Sequence, residues 1–175
     1  MFLDAQELAK RKIRFERLFH PGSFNFMDKD VRQLGDVRAE GVAEMVDPAG
    51  VREIRIRGEL RGRVETPCAR CLEAIPMDVS GPLDLFYRPM AQIAKEEAVA
   101  ITAADAEIGF YEGNGLELAD VVREQILMAL PMQTLCRQDC RGLCPACGKN
   151  RNQEACGCHQ EFPDPRWEAL RGWKQ

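Results

Sequence analysis

The chain has 175 residues, of which 45% are hydrophobic and 30% are charged, and its net charge is −4. These fractions are typical of a globular protein and not of a disordered one, and the length suits one domain or one domain with a small appendage. The weak negative charge excludes a protein that binds nucleic acid through a basic field over its whole surface, so any contact with RNA must be local.

The first part of the chain is predicted to be a helix followed by strands. Residues 4–19 place apolar side chains at helical spacing among basic ones, before a Pro-Gly turn. Residues 37–46 indicate a strand, which a second Pro and Gly turn separates from the next. Residues 53–66 alternate strictly between charged and mainly apolar positions, which predicts a long strand with one buried face. We expect this strand to bulge or kink at Gly58 and Gly62.

The second part is predicted to add two strands, one helix and a cysteine-rich end. Residues 75–87 and 107–111 indicate strands, and the acidic, alanine-rich residues 90–107 indicate a loose excursion between them. Large apolar side chains recur at helical spacing over residues 116–130, and the proline that follows ends this helix. The remaining residues, 132–175, are rich in Cys, Gly, Pro and Arg and cannot build a core from side chains alone.

The compartment decides how the cysteines are interpreted. The longest clean apolar run, residues 126–130, is far shorter than the roughly 20 residues needed to span a bilayer. The first 19 residues mix charges into every turn, unlike a secretory leader. We therefore expect a cytoplasmic protein. In that reducing compartment eight cysteines indicate metal ligands or redox chemistry and not disulfides.

The cysteines have the spacing of metal ligands. Two residues between thiolates let both sulfurs reach one tetrahedral ion, and this spacing occurs in CARC and in CPACG. The spacings miss the common ferredoxin patterns, which favours zinc over an iron–sulfur cluster. A catalytic zinc usually keeps one position for water, so we expect structural sites. The predicted ligands of two zinc ions are Cys68, Cys71, Cys136, Cys140, Cys144, Cys147, Cys156 and Cys158.

Two ways of dividing these cysteines between two ions remain open. In one, the last four form a local site with a loop of only eight residues between its pairs. The first four then tie the end of the long strand to the end of the 116–130 helix. In the other, the two Cys-x-x-Cys pairs share one ion, as in zinc ribbons, and the remaining four cysteines share the second.

Two basic stretches are candidate RNA contacts. Arginine binds phosphate through two parallel hydrogen bonds and stacks on bases, and four arginines share the polar face of the long strand. A second run lies in the predicted N-terminal helix. The candidate RNA-binding residues are Arg55, Arg57, Arg61, Arg63, Lys10, Arg11, Lys12 and Arg14. The alternative for the strand is a solvated face, on which the arginines pair with Glu53, Glu59 and Glu65.

Three motifs in order resemble one family. They are CARCLE at residues 68–73, LADVVREQILMALP at residues 118–131 and CRQDCRGLCPACGKNRNQEACGC at residues 136–158. Their combination resembles the YceD family of large ribosomal RNA subunit accumulation proteins. The resemblance implies a bacterial protein that is needed for normal levels of large-subunit ribosomal RNA, and it brings no catalytic residues. The implied partner is a ribosomal RNA precursor or the assembling large subunit, with no membrane and no small-molecule substrate.

We therefore expect an α+β protein in two parts. An antiparallel β-sheet with two flanking helices forms a domain of residues 1–131, and a zinc-bound C-terminal segment of residues 132–175 is packed on it or appended to it. Its expected role is that of a non-catalytic ribosome biogenesis factor, which supports synthesis, processing or stability of large-subunit ribosomal RNA.

Two other functions compete with this one. A redox-regulated zinc chaperone releases metal from Cys-x-Cys and Cys-x-x-Cys pairs on oxidation, and the chain has both. An RNA-processing enzyme needs clustered carboxylates around divalent ions. For that role the candidates are two close acidic pairs, Asp28 with Asp30 and Asp105 with Glu107, but such pairs are expected by chance among 28 acidic residues.

Overall fold

The computed structural model describes residues 1–27, 30–90 and 108–158. The predicted excursion therefore lies outside the described residues from residue 91 onward, and of the two acidic pairs only Asp30 is described. The elements in chain order are β1 (Phe2–Asp4), α1 (Ala5–Leu8), β2 (Ile13–Phe19), β3 (Arg32–Gln33), β4 (Val37–Val46), β5 (Glu53–Pro67), β6 (Ala74–Pro89), β7 (Ile108–Tyr111), β8 (Gly115–Glu117) and α2 (Leu118–Ala129).

The main sheet has the strand order β2-β4-β5-β6-β7, and β3 pairs with the end of β5. The pairs β2–β4, β4–β5 and β5–β6 are antiparallel, whereas β7 runs parallel to β6. The prediction of an antiparallel sheet is therefore wrong at the β7 edge. Parallel neighbours need a connection of a dozen or more residues, and the long stretch between β6 and β7 provides one. A separate two-stranded sheet pairs β1 with β8.

The N-terminal helix predicted over residues 4–19 is wrong. Only α1 is helical, a single turn whose N-terminus is capped by the side chain of Asp4, and the chain then forms β2. Alternate residues of β2, Ile13 and Phe15, turn toward the core, and Phe15 is buried. A short apolar pattern of this kind fits a helix or a strand. Pairing with β4 decides the outcome, because every residue of β2 has a partner there.

The core lies on one face of the main sheet. The prediction of a half-buried strand over residues 53–66 is confirmed, since the buried side chains of β5 include Ile54, Ile56, Leu60 and Val64. The buried residues of α2 join the same cluster, namely Leu118, Val121, Val122 and Ile126. The predicted helix is confirmed as α2, which ends before Pro131, but its predicted start is wrong because residues 116–117 belong to β8. The opposite face of the sheet carries the charged side chains.

The glycines of β5 do not form the predicted bulge. The strand pairs without a skipped residue with β4 on one side and with β6 on the other. Gly58 faces Gly41, and a Cβ on either glycine would lie 2.1 Å from a carbonyl oxygen of the opposite strand. A Cβ on Gly62 would lie 2.5 Å from the side chain of Val37. These glycines therefore allow β4 and β5 to approach closely.

Candidate metal centres

The eight cysteine sulfurs meet in two groups of four. Within each group the sulfurs all lie within 4.8 Å of one another, and the cysteines form no disulfide. The first group is Cys68, Cys71, Cys136 and Cys140, and the second group is Cys144, Cys147, Cys156 and Cys158. The structure therefore has the arrangement with one local site and not the arrangement in which the two Cys-x-x-Cys pairs share an ion. Residues 68–73 and 136–158, which hold both groups, are called the metal module below.

The sulfur–sulfur distances in the first group suit a tetrahedral ion. Cys68 Sγ lies 3.8 Å from Cys140 Sγ, and Cys71 Sγ lies 3.6 Å from Cys136 Sγ. Four sulfurs at about 2.3 Å from one zinc ion would lie about 3.8 Å apart along the edges of the tetrahedron. Bonded disulfide sulfurs, by contrast, are about 2.05 Å apart. Each group could therefore hold one metal ion, with a thiolate in all four positions.

The first group ties two distant parts of the chain together. Cys68 and Cys71 lie in the turn between β5 and β6, whereas Cys136 and Cys140 follow α2. The backbone amide of Cys136 points at Cys68 Sγ from 3.4 Å, and Arg70 Nη1 donates a 3.0 Å hydrogen bond to the carbonyl of Cys140. A metal in this group would fasten the longest hairpin to the segment after the helix.

Backbone amides prepare the first group for a cation. Burial acts to raise the pKa of Cys68. The backbone amides of Cys136, Arg70 and Cys71 are aimed at its sulfur, however, and lower its pKa to about 6. The amide of Glu73 lowers the pKa of Cys71, but burial and the three neighbouring sulfurs outweigh it and raise that pKa to about 12. The Asn152 side chain likewise lowers the pKa of Cys140, whereas burial raises that of Cys136. Two thiols of the group therefore ionise easily and two resist, so four thiolates need a bound cation.

The second group shows the same contrast but is more exposed. Cys144 is buried, whereas Cys147 and Cys158 are exposed. The amides of Cys147 and Ala146 lower the pKa of Cys144 to about 6, while the nearby sulfur of Cys147, followed by burial, raises the pKa of Cys158 to about 12. Chelators and oxidants would therefore reach a metal in the second group more easily than one in the first.

The same backbone turn is built twice in the metal module. In each Cys-x-x-Cys turn the amide of the first cysteine donates at 2.8 Å to the carbonyl five residues on. The amide four residues on donates back to that cysteine, at 2.9 Å for Cys68 and 2.8 Å for Cys144. The residue after the second cysteine has a positive φ in both turns, 61° for Leu72 and 71° for Gly148. Only the second turn has the glycine that this conformation favours.

Leu72→Gly is therefore expected to raise the free energy of unfolding by up to about 1 kcal/mol, because a left-handed backbone is unfavourable for leucine. Little burial is lost, since Leu72 is 64% exposed. The reverse change, Gly148→Ala, is expected to lower the free energy of unfolding by about 1 kcal/mol, although its Cβ would meet no atom within 4 Å. Urea unfolding with metal in excess measures both. A clear loss of stability in Leu72→Gly would contradict the assignment of strain to this turn.

In the second group, a loop of residues 148–155 connects Cys147 to Cys156, and side chains of this loop reach the first group. Asn152 Nδ2 donates to Cys140 Sγ at 3.2 Å, and Asn152 Oδ1 accepts the backbone amide of Arg141 at 2.8 Å. Asn150 Nδ2 donates to the carboxylate of Glu73 at 3.0 Å. The two groups are therefore parts of one hydrogen-bonded unit.

The four candidate arginines of β5 lie on the solvent-facing side of the sheet, and each is ion-paired. Arg55 makes two 2.8 Å hydrogen bonds to Asp84 and lies over the ring of Phe86, 5.0 Å from its centroid. The other pairs are Arg57 with Glu44, Arg61 with Glu59, and Arg63 with Asp78. Glu59 is one of the partners predicted from the sequence, whereas Glu53 instead pairs with Arg88. The charges of this face are matched, and its contact with RNA remains a prediction.

The N-terminal candidates lie in the turn between α1 and β2 and at the start of β2. Lys12 pairs at 2.6 Å with Glu44, and Arg11 pairs with Glu7. Lys10 and Arg14 are exposed at either end of this short stretch. The structure thus brings Lys12 to the same carboxylate as Arg57, but it does not form the basic helix predicted from the sequence. RNA binding by these residues also remains a prediction.

The fold and the site define an α+β protein with two four-cysteine groups, each of which could hold a metal ion. The family model for the large ribosomal RNA subunit accumulation protein YceD matches residues 56–174, and the chain belongs to this family. The matched range contains every cysteine of both groups. The resemblance of the three motifs to this family is therefore confirmed.

Curated relatives come from several bacteria. The chain is 32% identical over 136 residues to the uncharacterized protein Rv2926c of Mycobacterium tuberculosis, covering 77% of this chain and 58% of that one. Identity to the uncharacterized protein ML1660 of Mycobacterium leprae is 27%, covering 77% and 56%. Identity to the uncharacterized protein YlbN of Bacillus subtilis is 22% over 165 residues, covering 94% and 89%. The chain thus spans a little over half of the length of the mycobacterial relatives.

No solved structure gives a significant match to the chain. Within the described residues, no helix combines the length and the apolar composition needed to cross a membrane.

Proposed function

We propose that this protein is a non-catalytic ribosome biogenesis factor that supports the synthesis, processing or stability of large-subunit ribosomal RNA. The family match carries the proposal, because the family is described by the accumulation of that RNA and its model matches residues 56–174. The proposed partner is a ribosomal RNA precursor or the assembling large subunit, which places the protein in the bacterial cytoplasm.

We also propose zinc as the ion of both groups, giving two ions per chain. Zinc is four-coordinate with thiolates in structural sites, and the distances of 3.6 Å and 3.8 Å between sulfurs of the first group suit a single ion at the centre. The four sulfurs of each group all lie within 4.8 Å of one another, which is too close for them to surround a cluster of several iron and sulfide ions. Four thiolates also leave no position for the water that a catalytic zinc activates. This chemistry supports a stabilising role for the metal and a binding role for the protein.

The proposal is tested in a bacterial strain from which the gene has been deleted. We expect the ratio of large-subunit to small-subunit ribosomal RNA to fall, and a plasmid copy of the gene to restore it. Pulse labelling of new RNA separates slower synthesis from faster decay, and crosslinking followed by RNA sequencing and mass spectrometry identifies what the protein touches. An unchanged ratio in the deletion strain would refute the proposal.

The exposure of Cys147 and Cys158 favours one second candidate, the redox-regulated zinc chaperone. In that case peroxide should release zinc from the second group, and the oxidised protein should suppress aggregation of unfolded proteins. The deletion strain should then be sensitive to peroxide while its ribosomal RNA ratio stays normal. That combination of results would replace the first proposal by the second.

A further inference from the structure

Two arginines of the metal module differ from those of β5. Arg141 and Arg151 are both exposed. Each has a hydrogen bond through its backbone amide, but neither guanidinium has a carboxylate or other hydrogen-bonding partner among the described residues. Every candidate arginine of β5, in contrast, is within reach of an acidic side chain. Within the described residues, the metal module thus carries positive charge that no acidic side chain matches.

The backbone holds these two arginines close to each other. The amide of Arg151 donates to the carbonyl of Gly142 at 2.9 Å, and the amide of Arg141 donates to Asn152 Oδ1 at 2.8 Å. The loop of residues 148–155 thus lies along the segment that follows Cys140. Both arginines line one cleft of about 320 Å³. These hydrogen bonds fix the backbone of both arginines close to the cysteine groups.

The charges around this cleft favour an anion. Its lining contains one carboxylate, that of Glu154, which is ion-paired with Lys149 at 2.9 Å. Two guanidinium groups are then left without a counter-charge among the lining residues. Guanidinium binds phosphate through two parallel hydrogen bonds, which a point charge does not. Cys156 also lines the cleft, and a filled four-thiolate group is itself negative, so the cleft suits a few oriented phosphate contacts and not broad electrostatic attraction.

We propose that Arg141 and Arg151 form a phosphate-binding pair through which the metal module contacts precursor large-subunit ribosomal RNA. This inference rests on the proposed function and names its contact surface. It gives the metal a specific purpose, because the metal orders the loop that carries Arg151. It also assigns the RNA contact to the metal module and leaves the arginines of β5 as a solvated, ion-paired face.

The test uses the full chain loaded with zinc and an in vitro transcript of precursor large-subunit ribosomal RNA. The variant Arg141→Gln with Arg151→Gln is compared with Arg61→Gln with Arg63→Gln, which removes the same charge from β5. Losing two phosphate contacts should flatten the log–log salt dependence of binding by about 1.4 for single strands and weaken binding roughly tenfold at 0.1 M salt. The β5 variant should bind like the unmodified chain, because exposed ion pairs contribute little.

Zinc content and zinc retention against a chelator are measured for both variants, because the arginines could instead balance the thiolate charge. Equal weakening in both variants, or weakening only where zinc is lost, would overturn the inference and leave the proposed function standing. Normal RNA binding by Arg141→Gln with Arg151→Gln would also overturn it. If the unmodified chain binds no precursor RNA, the inference fails, and the ribosomal RNA ratio in the deletion strain judges the proposed function separately.

Discussion

Cys68→Ser is expected to lower the zinc content of the purified protein from two ions per chain to one. The sulfur of Cys68 is completely buried and lies 3.8 Å from that of Cys140, so a serine there removes a ligand from the enclosed group. Structural zinc sites contribute on the order of 10 kcal/mol of apparent binding energy near neutral pH. The turn between β5 and β6 should therefore separate from the segment after α2. Elemental analysis and amide hydrogen exchange over residues 68–73 and 134–140 measure these two effects.

Cys147→Ser is the matched variant in the second group, and its effect should be more local. Cys147 is exposed and its group lies within residues 144–158, so the sheet should keep its exchange protection while this stretch loses it. The first group should keep its ion but bind it roughly 10–100-fold more weakly, because the disordered loop no longer places Asn152 on Cys140 Sγ. Two zinc ions in either variant, or identical exchange patterns in both, would contradict the assignment of the groups. An iron chromophore in the unmodified protein would refute zinc itself.

That all eight cysteines would gather into groups of four could be predicted from sequence, but which cysteines share a group could not. Two-residue spacing shows that neighbouring cysteines can share an ion, whatever the rest of the fold does. Which pairs meet depends on where the turn between β5 and β6 lies relative to the end of α2, and that is a property of the tertiary structure. The same holds for Asn152 and Glu73, polar residues without any periodic signal, whose roles become visible only when the two groups are side by side.

The wrong N-terminal helix has a comparable cause. Residues 4–19 contain too few apolar side chains, too closely spaced, to distinguish the period of two of a strand from the period of 3.6 of a helix. The neighbouring strand decides the structure, since Ile13 to Phe19 pair residue by residue with β4. The long alternation of β5 was predicted correctly because it runs over enough residues to exclude a helix. Its glycines were located correctly as exceptional positions, but the reason is close strand approach and not a bulge.

Gly58→Ala is accordingly expected to lower the free energy of unfolding by about 3 kcal/mol or more, at the upper end of what overpacking costs. The added Cβ would lie 2.1 Å from the carbonyl oxygen of Glu40 and 2.8 Å from the Cα of Gly41. Both atoms belong to the backbone of β4, so no side-chain rotation can relieve the overlap, and the two strands must separate. The strands β4 and β5 are paired on both sides of Gly58, so separating them at this point alone would strain the neighbouring hydrogen bonds.

Gly81→Ala is the control, because Gly81 lies in β6, opposite Leu60 of β5, and a Cβ there would meet no atom within 4 Å. The free energy of unfolding of this variant should lie within about 0.5 kcal/mol of that of the unmodified chain, or slightly above it, because alanine restricts the unfolded state more than glycine does. Urea unfolding followed by circular dichroism, with zinc in excess in every sample, compares the midpoints. Zinc content should stay at two ions in both variants, because neither glycine belongs to the metal module. Similar midpoints for Gly58→Ala and Gly81→Ala would show that β4 and β5 have room between them, and that the close glycine pair does not limit the stability of the sheet.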